Sequence, residues 1–462
     1  MPLDSHPSSF RDPDGIVFSK NGFIYRCVFE SYRNNYDLLN ASGLYNTLTS
    51  EQLLISHTEA DPAAFEQIPG RQIYKILQPE SIHFISYPYE WCFSQLKMAA
   101  LLTLDIQLKA LEKGMTLKDA TAYNIQFRGA APVFIDTLSF EKYEENQPWQ
   151  AYGQFCRHFY GPLLLWTYHK SEISQLSLKY PDGIPLSVIS YSLPWKTKFS
   201  FSIQSHIHYH AQLEKTHGGN TSGKLKTLSL SKNRLVAIIT HLKNQIQQLQ
   251  LRPQSSPWLN YYETFSYSQD AFEIKKNTIS SIINTLVPKH VLDIGCNDGE
   301  FSLICAGKAE QVVSIDSDAS VVNNLQAKVS TLGIKNVLPL VVDITNPSPG
   351  IGFQNTERTA FLERGKFDLV LALALLHHVT ISGNIPFSLF AKQLADLAPM
   401  LVIEYVPKED PQTQRLLVSR KDIFDGYHLE GFVKAFEHFF TVRQQHKISN
   451  PERIIFLMER HA

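Results

Sequence analysis

Three things are scarce in this sequence. Its formal net charge is −1 over 462 residues, so no overall field gathers nucleic acid or an anionic membrane. No long Lys/Arg run does so locally, and nucleic acid is not an expected partner. Cysteine is sparse: Cys27, Cys92, Cys156, Cys296 and Cys305 are scattered and never spaced CxxC. That fits reduced cytoplasmic thiols better than a disulfide framework or a cysteine zinc site. Long apolar runs are missing too. The run LVLALALL at 369–376 falls far short of the ~20 residues that span a bilayer. The N-terminus, MPLDSHPSSFRDPDG, is polar and broken by proline, unlike a signal peptide. A soluble, cytoplasmic protein without a membrane span is expected.

What is present is an ordinary globular composition. With 44% apolar and 19% charged residues, the chain can form two or three domains with their own cores. HGGNTSGK at 217–224 and RPQSSP at 252–257 have the composition of connections. Between them Leu235, Ile238, Ile239, Leu242, Ile246 and Leu249 recur at spacings of three and four, which predicts an amphipathic connecting helix. The expected division is a module at 1–216, a linker and helix at 217–255, and a module at 256–462.

In the C-terminal module, short continuous apolar runs alternate with helix-length segments. The runs are HVLDIG (290–295), QVVSID (311–316), NVLPLVVD (336–343), FDLVLALAL (367–375) and PMLVIEYV (399–406). They predict an α/β fold with a parallel sheet covered on both faces. In such sheets ligands bind beyond the carboxyl ends of the strands. The first run ends in Asp293-Ile-Gly295-Cys-Asn297-Asp-Gly299, where the glycines permit a tight turn and close backbone approach. The second ends in Asp316, 21 residues after Gly295, where a carboxylate can accept both hydroxyls of a ribose. The third ends in Asp343-Ile344, placed to meet an adenine edge.

These residues resemble the class I S-adenosylmethionine (SAM) methyltransferases over about 290–410, with Asn297 standing where the family has its middle glycine. The resemblance implies a doubly wound, Rossmann-like sheet. It implies SAM as cofactor, held by Asp293, Gly295, Asn297, Gly299, Asp316, Asp343 and Ile344. The fourth and fifth runs lead into His377-His378 and Glu404-Tyr405, which places them by strand position near the transferred methyl group. His377, His378 and Glu404 are the candidate catalytic residues, a histidine serving as base where the acceptor carries a proton to lose. NPSP at 346–349 reads as a turn, and ERTAFLERGKFD at 357–368 as a charged surface helix.

The N-terminal module carries a second pattern. Phe93, Leu96, Ala100, Leu104, Leu108 and Leu111 mark a buried helical face, and Gly114 is a natural stop. Beyond it, Asn124 follows Asp119 by five residues, and Asp136 closes an apolar run twelve residues later. A long helix, D-x-x-x-x-N and a short strand closing on Asp resemble the catalytic lobe of protein and aminoglycoside kinases. The resemblance covers about 85–165 and implies an α+β kinase-like module with a candidate Mg·ATP site. In it Asp119 would be the base, and Asn124 and Asp136 would hold magnesium. Leu117-Lys118 stands in place of His-Arg, and Thr-Leu in place of Phe-Gly. There is no GxGxxG loop, only a candidate hairpin in DPDGIVFSKNGFIYR (12–26). Lys20, Arg26 and Lys75 all remain open as the phosphate-pairing cation.

YPYEW, LKDATAYNIQF, FIDTLSF, NPSPGIGF, LALALLHH and IEYVPK together resemble a bacterial group related to the nodulation host-specificity protein NoeA, described as methyltransferases. HIHYH at 206–210 would align three histidines if extended, but no carboxylate or cysteine spacing supports a metal there. It reads as a surface tract, and no metal site is expected. The whole reads as a SAM-dependent methyltransferase whose N-terminal module selects or presents the substrate. One alternative is a bifunctional kinase-methyltransferase acting on a sugar or small metabolite. Another is an inactive SAM-binding regulatory protein. The acceptor, whether small molecule, sugar or protein, and the oligomeric state are not encoded in these motifs.

Overall fold

The structure is a computed structural model. It describes residues 4–461 except 67, 170–172, 217–229, 252–268, 419 and 450–451. Both expected connections, 217–224 and 252–257, lie outside the described residues. The chain forms two compact units, one of Met1–Gln254 with Gly350–Thr359 and one of Ser255–Pro349 with Ala360–Ala462.

The first unit opens with strands β1 (Asp4–Ser5), β2 (Gly15–Lys20), β3 (Phe23–Phe29), β4 (His57–Ala60) and β5 (Ile73–Pro79). They pair antiparallel in the order β1-β2-β3-β5-β4. The β2–β3 hairpin turns on Asn21 (φ 52°) and Gly22 (φ 79°), the left-handed pair that a two-residue turn requires. Helices α1 (Arg33–Ala41) and α2 (Leu44–Ser50) lie in sequence between β3 and β4.

The helix read from the Phe93–Leu111 pattern is α3 (Phe93–Glu112). It buries Leu96, Leu104 and Leu111, worth about 1.5–3 kcal/mol each. It stops at Gly114, φ 74°. After it, β6 (Met115–Leu117), β7 (Ile125–Arg128), β8 (Ala131–Phe134) and β9 (Phe140–Lys142) form two antiparallel pairs, β6 with β9 and β7 with β8. The amphipathic segment is a helix, Lys232–Gln248, burying Leu235, Ile239, Leu242 and Ile246. It belongs to the first unit. Lys243 pairs with Asp105 of α3, and Lys97 donates to the carbonyls of Gln247 and Leu249, both at 2.8 Å. Those carbonyls at the helix end have no intrahelical partner.

The second unit is one seven-stranded sheet built from β10 (His290–Ile294), β11 (Gln311–Asp316), β12 (Val337–Val341), β13 (Leu369–Ala372), β14 (Met400–Tyr405), β15 (Phe440–Lys447) and β16 (Ile454–Arg460). The order is β12-β11-β10-β13-β14-β16-β15. The first five are parallel, while β16 runs antiparallel to both β14 and β15. Helices Glu300–Ala306, Ala319–Thr331 and Phe387–Leu397 connect parallel strands. The winding reverses between β10 and β13, the switch point at which such sheets open a crevice.

Two expectations are corrected. HIHYH is not a surface tract: Gln204–His208 is a wide helical turn leading into the helix Tyr209–Thr216. His206 and His208 are buried there, His206 against the Tyr152 hydroxyl and His208 between the hydroxyls of Ser190 and Thr197. The segment 357–368 is not one surface helix. Only Phe361–Arg364 is helical. Glu357 is buried in the first unit, where its carboxylate takes Arg11 at 2.7 and 3.1 Å and the Phe353 N–H at 2.9 Å. A carboxylate claimed by its own backbone and a distant guanidinium cannot also sit on a solvated helix face.

Candidate active site

The carboxyl ends of β10, β11 and β12 frame a pocket of about 370 Å³. The turn after β10 is drawn inward because the Gly295 and Cys296 N–H groups both donate to the Ile315 carbonyl of β11, at 2.8 and 3.0 Å. Gly295 has φ 73°. Asn297, where the family's middle glycine would stand, is also left-handed at φ 49°. Its side-chain oxygen accepts from the Asp298 N–H at 2.7 Å, the local bond that lets asparagine tolerate this region. The Asn297 N–H in turn donates to Asp316 at 3.1 Å. Gly299 (φ 83°) starts the next helix, and a Cβ there would lie 2.3 Å from the Leu325 side chain.

Asp293, Gly295, Asn297, Asp316, Asp343 and Ile344 all line the pocket. Gly299 is not a lining residue. Asp293 is buried and accepts from Ser302 Oγ at 2.6 Å. Burial pushes its carboxyl up to about 6, against the bond from Ser302 and the charge of Lys275. Burial likewise raises Asp316 to about 6, although it accepts the Asp318 N–H at 2.9 Å. Asp343 is tied by Thr345, whose N–H and hydroxyl donate at 2.8 and 2.7 Å. These carboxylates can accept from an amine and from ribose hydroxyls.

The three candidate catalytic residues part company. His378 lines the pocket, and burial lowers its imidazole to about 4, so it is neutral at pH 7. His377 is not a lining residue. It is 1% exposed, its Nδ1 meets no partner, and its ring packs 4.2 Å from that of His378. Burial holds it well below the usual histidine range, and the His378 charge adds to this. Glu404 is fully buried and also off the lining. Its carboxylate takes Lys275 at 2.7 Å and Arg453 at 3.3 Å, and Arg453 goes on to Asp410 at 2.8 Å.

Lys275 and Phe272 line the pocket and escaped the sequence reading. They belong to the helix Gln269–Leu286, ahead of the first strand. Lys275 is 3% exposed and lies 4.8 Å over the Phe301 ring. Burial lowers its ammonium, with Glu404 opposing. A lysine on the apolar face of that helix was the available signal.

The second candidate site also assembles. Asn124 donates to Ser139 Oγ at 3.1 Å, and Ser139 donates to Asp136 at 2.5 Å. Asp119 hydrogen-bonds Asn124, and burial together with the Asp136 charge raises its carboxyl. Asp136 itself is ion-paired with Arg26 of β3 and accepts from the Leu138 N–H at 3.1 Å. Burial pushes Asp136 up, but Arg26, Ser139 and Leu138 outweigh it and leave the carboxyl below its usual range. Of the open cations, Arg26 is the one on Asp136. Lys75 pairs with Glu59, and Lys20 donates to the Ala64 carbonyl. Among the described residues no group of three or more His, Cys, Asp or Glu could hold a metal, and no helix is long and apolar enough to cross a membrane.

Residues 292–386 match the family described as the methyltransferase domain. With the pocket above, they define a class I SAM-dependent methyltransferase domain. Over 98% of its length the chain is 33% identical to nodulation protein NoeA of Rhizobium meliloti (strain 1021), spanning 95% of that protein. It belongs to the NoeA family. The O-antigen chain terminator bifunctional methyltransferase/kinase WbdD of Escherichia coli is 30% identical over 128 residues, 27% of this chain and 16% of WbdD. Among solved structures, the N-methyltransferase NodS of Bradyrhizobium japonicum WM9 with S-adenosyl-L-homocysteine aligns at 11% identity and TM-score 0.33. That alignment covers 45% of this chain and all of NodS.

Proposed function

We propose that the chain is a cytoplasmic methyltransferase whose first unit has a kinase-like fold and selects or presents the acceptor. The observation that carries the reading is the convergence of Asp293, Asp316, Asp343 and Gly295 on one pocket at the switch point of the sheet. Bound SAM supplies a methyl group on a sulfonium, for which in-line alignment provides most of the acceleration. Asp316 accepts the ribose hydroxyls, and Asp343 and Ile344 meet the adenine edge. Asp293 faces the ammonium and Lys275 the carboxylate of the methionine end. Glu404, held from behind by Arg453, keeps Lys275 aimed into the pocket. His378, neutral at pH 7, accepts a hydrogen bond from the acceptor, and His377 packs behind it.

The kinase-like reading of the first unit rests on three features. They are its five-stranded antiparallel sheet, the long buried helix α3, and the two short strand pairs that bring Asp119, Asn124 and Asp136 together. That convergence also favours a second reading, in which the first unit phosphorylates a sugar or small metabolite that the second methylates. The Arg26–Asp136 pair weighs against it, because a magnesium ion must displace that guanidinium.

Calorimetry separates these readings. SAM binds the full-length protein, and Asp316→Ala weakens it by about a hundredfold, as expected for lost bidentate bonds to a charged group. Failure of SAM to bind the folded protein overturns the primary reading. Mg·ATP titrated beside Asp136→Ala tests the other: binding lost in the variant establishes a working metal-nucleotide site, and no binding to either protein removes the bifunctional reading.

A further inference from the structure

Eight large aromatic side chains stand exposed among the described residues, and five of them fall within one short stretch of the first unit. Tyr191 is 92% exposed, Trp195 74%, Phe199 79%, Phe201 81% and Tyr209 54%. Single exposed apolar residues are ordinary on a protein surface. Several exposed rings along one short segment, a tryptophan among them, are the kind of exposed apolar surface that marks an interaction site.

The backbone beneath is fixed rather than loose. Thr197 is buried, donates to the Pro194 carbonyl at 2.7 Å, and pairs with His208 Nε2 at 2.9 Å. His208 Nδ1 meets Ser190 Oγ at 2.7 Å. Leu193, Ile203 and Ile207 are buried. Trp195 and Phe199 pack edge to face, with centroids 5.5 Å apart. One side of the segment is therefore anchored, and the other presents aromatic rings.

The charge of the stretch is one-sided. From Gly183 to Leu213 there is no Asp or Glu, while Lys196 and Lys198 are exposed between the rings. Tryptophan, tyrosine and phenylalanine with interspersed lysine are what the headgroup region of a bilayer takes up: rings enter the boundary and ammonium groups meet lipid phosphates. With a formal net charge of −1, attraction to such a surface has to be local.

We propose that the face formed by Tyr191, Trp195, Lys196, Lys198, Phe199 and Phe201 docks the protein peripherally on an anionic phospholipid membrane. This goes beyond the methyltransferase reading and does not depend on it. The rings supply apolar insertion. Each lysine strengthens binding about fivefold, the effect of one basic residue near an anionic surface.

The test uses the full chain and large vesicles of phosphatidylcholine with and without phosphatidylglycerol. Expected are co-sedimentation with the phosphatidylglycerol vesicles and a blue shift of tryptophan emission that disappears in Trp195→Phe. A combined Trp195→Ala, Phe199→Ala and Phe201→Ala variant abolishes sedimentation, and Lys196→Gln with Lys198→Gln weakens it about thirtyfold. An unchanged circular-dichroism spectrum shows that the variants fold. Absence of binding to either vesicle overturns the proposal, as does binding that the aromatic variant leaves unchanged. Dimerisation that the same variant removes assigns the face to a second copy and overturns it too.

Discussion

Each unit gathers carboxylates near the ends of strands, yet Asp136 of the first is held oppositely to Asp293 and Asp316 of the second. In the second unit Asp293 and Asp316 line an accessible pocket, and burial raises both carboxyls to about 6. In the first, Asp136 is met by Arg26, Ser139 and the Leu138 N–H, and its carboxyl sits below the usual range. Buried carboxylates with raised values favour an incoming cation, whereas one already neutralised by a guanidinium resists it. Number and type of acid do not separate a binding site from a structural one. What separates Asp136 from Asp293 and Asp316 is that a guanidinium is already ion-paired with its carboxylate.

The largest effect that breaks this contrast is expected at Arg453. Arg453→Met leaves Glu404 and Asp410 buried without their guanidinium, a loss of about 3–5 kcal/mol in denaturant unfolding of the second unit. Next is Gly299→Val. Its Cβ would fall 2.3 Å from Leu325 at φ 83°, and SAM affinity measured by calorimetry should drop by roughly a hundredfold, about 2.7 kcal/mol.

Arg26→Met probes the opposite unit and should cost about 1.5–3 kcal/mol, the worth of a charged hydrogen bond. It also has a pH signature. A depressed carboxyl stabilises the fold above its unfolded value, and that stability is lost as pH falls through the folded value. Without Arg26, burial dominates at Asp136, and the acid transition seen by circular dichroism should move to higher pH.

The smallest effect is on SAM affinity in the wild-type protein. Asp293 and Asp316 keep their protons below about 6, and a cationic ligand favours their ionised forms. Affinity should therefore rise at least tenfold between pH 5 and 7 and then level off. A flat profile would mean that neither carboxylate faces positive charge.

The strand endings were legible because each buried parallel strand is a continuous apolar run, and Asp293, Asp316 and Asp343 stand where those runs give way to polar residues. Lys275 was not, since its partner Glu404 is 129 positions away and a single lysine leaves a helical pattern intact. His377 and His378 could not be told apart either. The chain leaves β13 through Ala374 at φ 51°, and no alternation carries across such a turn. In the first unit, α3 and Gly114 were plain from spacing. That Arg26 would cover Asp136 depends on a strand 110 positions earlier, and no local pattern records it.

The segment Gly350–Thr359 has a consequence for synthesis. It arises within the second unit's sequence, yet it completes the first, where Glu357 receives Arg11 and the Thr359 N–H donates to Tyr87 at 3.2 Å. Domains emerging from the ribosome usually close in order, at about 5–20 residues per second. Here the earlier half must wait through about a hundred further residues, roughly 5–20 s at that pace, before its last piece emerges. A nascent chain stalled at residue 300 would therefore hold its N-terminal half without the segment that carries Glu357 and Thr359.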